Sequence, residues 1–87
     1  MKYKTMPGVI LTEICGNSYL VSADRTIQVN ETTSFCWKQL EKGVDTETLF
    51  LQVQEHYEVE DTEMLKSDVT SLIDSLYSRR LIVRCGQ

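Results

Sequence analysis

Three short segments rich in β-branched residues, separated by tight-turn signals, precede three stretches with helical periodicity. That order predicts an α+β fold in which a three-stranded antiparallel sheet is followed by a three-helix bundle, a winged helix-turn-helix-like layout. At 87 residues the chain has room for one core, so residues 1–87 are read as a single domain. Its composition, 41% hydrophobic and 25% charged, is that of a folded chain and not of a disordered one.

The first strand is expected over 8–14, "GVILTEI", entered after Pro7 and closed by the Gly16-Asn17 turn signal. The second spans 18–23, "SYLVSA", and a turn at Asp24-Arg25 leads into the third, 26–29, "TIQV". In "TIQV", Ile27 and Val29 point to one face, Thr26 and Gln28 to the other. Two tight turns imply a meander, whose first and third strands are edges. "TIQV" is therefore an edge, yet it carries no proline, lysine, glycine or bulge signal to protect it.

Asn30 suits the N-cap of a first helix over 31–42, with Glu31 at the positive end of its dipole. Thr33, Cys36, Trp37 and Leu40 form its inward stripe, Phe35 falls on the opposite face, and Gly43 stops it. Asp45 caps a second helix over 46–58, with Leu49, Val53 and Tyr57 inward. Asp61 caps a third over 62–79, where Leu65, Val69, Leu72 and Leu76 make a stripe widened by Ile73 and Tyr77. Leu81–Val83 closes the chain as a tail or a short strand.

The charge pattern excludes several functions. A net charge of −4 argues against nucleic acid, as do outward Asp68, Ser71, Asp74 and Ser75 against Lys66 alone in the middle of the third helix. The basic pair Arg79-Arg80 complements the negative end of that helix. Cys15, Cys36 and Cys85 lie far apart without a C-x-x-C pair, and His56 has no acid or nucleophile near it in sequence. Neither a zinc site, a disulfide framework nor a catalytic triad is indicated. Without a paired-carboxylate signature, a nucleophile motif or a glycine-rich phosphate loop, the chain reads as a non-enzyme that needs no cofactor. No apolar run approaches the roughly 20 residues of a membrane span, and "MKYKTMPG" lacks the apolar centre of a secretory signal, so a cytoplasmic location is expected.

The run "VNETTSFCW", then "LEKGVDTETLFLQVQEHYEVED", then "DVTSLIDSLYSRRLI", resembles the PqqD family of small chaperone-like proteins. Their domain is also called the RiPP recognition element, after the ribosomally synthesised and post-translationally modified peptides it serves. The resemblance rests on Asn30, Glu31 and Thr32, on Phe35 and Trp37, on Gly43, on Tyr57 and Val59, and on Asp68, Val69, Leu72 and Leu76. It departs from the family pattern where Arg79-Arg80 replaces a glycine after the third helix.

The resemblance implies a stand-alone protein that takes up the leader segment of a precursor peptide as an added strand. The site would lie between the third strand (Thr26, Ile27, Gln28, Val29) and the third helix (Leu65, Lys66, Val69, Leu72, Ile73). It further implies a separate modifying enzyme as partner, a radical S-adenosylmethionine enzyme or a peptidase of the same pathway, and it admits a homodimer through the open edge. Main-chain pairing would supply affinity and apolar pockets the choice of side chains, which accounts for an edge left unprotected. The competing expectation is a winged-helix interaction or regulatory domain that binds another protein. A short reading frame beside the gene, encoding a peptide with a modifiable core, would favour the first.

Overall fold

The computed structural model describes residues 2–85. Its elements run β1 (Lys2–Thr5), β2 (Ile10–Ile14), β3 (Asn17–Val21), β4 (Thr26–Val29), α1 (Glu31–Leu40), β5 (Val44–Asp45), α2 (Thr46–Tyr57), α3 (Thr62–Ser78) and β6 (Ile82–Cys85). The fold is α+β, with two antiparallel sheets ordered β2-β3-β4 and β5-β1-β6. Strands before helices is thus only part of the layout: β5 lies between α1 and α2, and β6 follows α3. Strand β1 was not expected, because "KYKT" is short and half lysine, and its partners Val44–Asp45 and Ile82–Cys85 are remote in sequence.

Local chemistry sets the meander. Pro7 and Gly8 form the centre of a turn in which the Val9 N–H donates to the Met6 carbonyl at 3.2 Å. Gly8, at φ 92°, holds the position that requires a positive φ, and the turn delays β2 from the expected residue 8 to Ile10. Between β2 and β3 the turn residues are Cys15 (φ 53°) and Gly16 (φ 81°), both left-handed as a two-residue hairpin demands. Asn17, expected in the turn, already pairs with Ile14. The β3–β4 turn is closed by the Ser22 N–H on the Arg25 carbonyl at 2.9 Å.

All three helix caps are made by the residues expected. Asn30, Asp45 and Asp61 accept from the main-chain N–H of Thr33, Thr48 and Met64 at 2.8, 2.7 and 3.0 Å. The C-terminal end of α3 is closed by the main chain. Arg79 N–H bonds Ser75 O at 3.1 Å, Arg80 N–H bonds Tyr77 O at 3.0 Å, and Leu81 N–H bonds Leu76 O at 2.9 Å. Arg80 takes the left-handed conformation, φ 62°, at a position where glycine is the usual solution.

The buried cluster joins Leu20 of β3 with Cys36, Trp37 and Leu40 of α1, Leu49 and Val53 of α2, Leu65, Val69, Ile73 and Leu76 of α3, and Leu81 and Ile82. Leu11, Ile27 and Val29 pack on it from the meander, while Ile10 and Ile14 stay exposed on the other face. Phe35 is half-buried: it stacks on His56 at 4.2 Å and meets Tyr57 edge-on at 5.8 Å, so its packing partner is the end of α2. No helix among the described residues is long and apolar enough to cross a membrane.

Candidate functional site

Among the described residues, strand β4 pairs on one side only, with β3, in the register Val21 to Thr26, Leu20 to Ile27, Tyr19 to Gln28 and Ser18 to Val29. The Ser22–Arg25 hydrogen bond fixes which of these pairs exchange bonds, because bonded and non-bonded pairs alternate along an antiparallel ladder. Leu20–Ile27 and Ser18–Val29 are the bonded pairs. The N–H and C=O groups of Thr26 and Gln28 consequently point away from β3, toward the open edge. Their side chains are exposed, whereas those of Ile27 and Val29 are half-buried against the core.

Behind this edge lies a cleft of about 220 Å³ between β4 and α3. Ile27, Gln28 and Val29 form one wall, Leu72, Ser75, Leu76 and Arg79 the other, with Leu20 and Leu81 beneath. A second cavity, about 170 Å³, opens among the three helices and is lined by Cys36, Val53, Tyr57, Leu65, Val69 and Leu72, with Thr32, Val59 and Asp68 completing it. Leu72 belongs to both. Burial pushes the Cys36 thiol up to about 11, so this sulfur is a neutral apolar lining group and not a nucleophile.

The structure thus divides the residues expected at the site. Ile27, Gln28, Val29 and Leu72 meet at the β4–α3 cleft, and Thr26 adds main-chain groups to the edge. Leu65 and Val69 line the inter-helix cavity instead. Lys66 is exposed beside Leu65 and lines neither, and Ile73, 2% exposed, is a core residue that also lines neither. The cleft-facing row of α3 is Leu72, Ser75, Leu76 and Arg79, spaced i, i+3, i+4, i+7. Ser75 and Arg79 were missed because a stripe sought by apolarity excludes polar members of a helical face. Asn30 and Thr33, at the start of α1, also line the cleft.

The two ends of β4 differ in charge. Beyond Val29 a polar hollow of about 590 Å³ holds Glu13, Glu31 and Lys38. Beyond Thr26 a hollow of about 550 Å³ with a mixed lining holds Arg25, Arg79 and Arg80 with Asp24, and it shares Arg79 and Leu81 with the cleft. The Arg25 guanidinium donates to the Arg79 carbonyl, tying the β3–β4 turn to the end of α3.

The family model for coenzyme PQQ synthesis protein D (PqqD) matches residues 18–82, from β3 to the start of β6. The chain belongs to the PqqD family. No curated protein matches this PqqD family member by sequence. Among solved structures it is similar to TbiB1 in complex with the TbiA(beta) leader peptide, at 19% identity and a TM-score of 0.78, covering 97% of this chain and 99% of that one. It is also similar to lasso peptide synthetase B1 complexed with the leader peptide, at 18% identity and a TM-score of 0.76, covering 94% and 98%. A third is the PqqD truncation of Methylobacterium extorquens PqqCD, a functional and stand-alone RiPP recognition element. It matches at 15% identity and a TM-score of 0.78, covering 95% of this chain and 89% of that one.

Proposed function

We propose that this PqqD family member binds the leader segment of a ribosomally made precursor peptide by strand addition at β4 and presents it to a separate modifying enzyme. The observation that carries the reading is the open edge of β4 set directly over the β4–α3 cleft. Outward main-chain groups of Thr26 and Gln28 offer sequence-independent pairing, and the cleft selects a leader side chain. Ile27, Val29 and Leu72 shape that cleft, Leu65 and Val69 wall the second cavity for another apolar side chain, Ile73 backs both from the core, and Lys66 offers a cation to an acidic leader residue. Two of the similar structures hold leader peptides, which supports the same use here.

On this reading residues 1–87 act as one cytoplasmic domain of winged helix-turn-helix type, a binding protein without catalysis of its own. The enzyme served is a radical S-adenosylmethionine enzyme or a peptidase of the same pathway. In the absence of peptide the free edge can also pair two copies, since the groups that accept a leader strand accept any strand.

Hydrogen exchange with a synthetic leader, taken from any short precursor reading frame found beside this gene, tests the proposal. Protection is expected on the amides of residues 26–30 and along α3. Protection on α2 with β4 unchanged would refute the assignment of the edge.

A further inference from the structure

Resting on the leader-binding reading, we propose that Arg25, Arg79 and Arg80 form a subsite for an acidic side chain of the bound peptide, one that flanks the segment paired with β4. Three of the chain's four arginines converge on this single hollow, in a protein whose net charge is −4. Among the described residues the one carboxylate in the lining, Asp24, already accepts from the Ser22 hydroxyl at 2.9 Å. The hollow adjoins the cleft through Arg79 and Leu81, so a peptide leaving the β4 edge past Thr26 runs straight into it.

Arg25 also covers the end of α3, but capping does not account for the side chains of Arg79 and Arg80. The last carbonyls of the helix are taken by the N–H groups of Arg79, Arg80 and Leu81, and Arg25 covers the Arg79 carbonyl. The left-handed backbone at Arg80 sharpens the point, since glycine would hold φ 62° without strain and close the helix equally well. A side chain kept at a strained position next to a binding cleft points to use of the side chain. Guanidinium groups hold carboxylates through paired, charge-assisted hydrogen bonds, which gives them both strength and orientation. The opposite end of β4, with Glu13 and Glu31 against Lys38, disfavours an acidic flank there. The two ends together set which way the peptide lies.

A displayed random peptide library, selected on the wild-type protein and on Arg79→Glu/Arg80→Glu, reads this directly. The wild type should enrich peptides with Asp or Glu on one flank of an apolar segment. The reversed variant should lose that preference or exchange it for Lys or Arg, and should bind a wild-type-selected peptide at least about tenfold more weakly. Arg80→Gly, a variant compatible with the backbone, should raise the melting temperature by roughly several degrees while weakening the same peptide. Peptides that depend on the β4 edge, shown by loss of binding in Gln28→Pro, but carry no acidic preference and bind the arginine variants unchanged would overturn the subsite and leave leader binding standing. Failure to enrich any peptide sensitive to Gln28→Pro would overturn both.

Discussion

Trp37 shows how far a single side chain reaches in a chain this small. It is completely buried in the core cluster, and truncation to alanine should cost about 3–5 kcal/mol, a large part of the roughly 4–13 kcal/mol expected for this length. A thermal unfolding curve of Trp37→Ala superimposable on wild type would show the position to be unimportant. Cys36 gives a pH signature. Its thiol is pushed from 9.0 to about 11 by burial, so the stability this contributes is complete below pH 9 and is lost as pH rises toward about 11, where the unfolded chain ionises first. Cys36→Ala should therefore be less stable at pH 7, because it leaves a cavity, yet fall less steeply than wild type between pH 9 and 11 in denaturant titrations. In alkylation at pH 8, exposed Cys15 should react in the native protein and Cys36 only on unfolding. Leu72 and Ile73 are neighbours with opposite consequences. Leu72→Glu places a carboxylate in the cleft and should abolish peptide binding with modest effect on the melting temperature, whereas Ile73→Glu buries a charge in the core and tests the fold.

Among the elements, β4 carries the proposed function. Its alternation was readable because the apolar members of a four-residue strand face the core and the polar ones water. Proline at residue 28 removes an outward N–H and leaves both bonded β3 pairs, at Ile27 and Val29, in place. Gln28→Pro should therefore weaken leader binding at least about tenfold, roughly 1.4 kcal/mol, with little change in the melting temperature. An unchanged affinity in calorimetry would mean that the leader does not pair with this edge. The meander and the three capped helices were equally legible, since turn residues and N-cap side chains act over two or three residues. The β5-β1-β6 sheet was not, because Lys2 finds Asp45 and Cys85 only through the tertiary fold. On α3 the apolar stripe located the core face, but of the residues expected at the cleft only Leu72 lines it, while Leu65 and Val69 line the inter-helix cavity. The cleft face was hidden because Ser75 and Arg79 carry half of it.

As a whole, the molecule is a slab of 37 × 34 × 19 Å, about the thickness of one sheet laid on one layer of helices. Its net charge of −4 should keep it off duplex DNA at physiological salt. Micromolar binding that collapses with added salt would contradict that. If β4 binds the leader as proposed, its shortness has a consequence for the modifying enzyme. Four residues can grip only about 13 Å of an extended peptide, so a longer precursor held there would hang free as a tether. A reactive segment about 15 residues beyond the grip would roam some 19–23 Å on average, enough to enter a neighbouring active site while its local concentration stays near millimolar. Substrate selection and chemistry would thereby be separated in space: the clamp would fix which chain arrives, and the length of slack which of its residues the enzyme can touch.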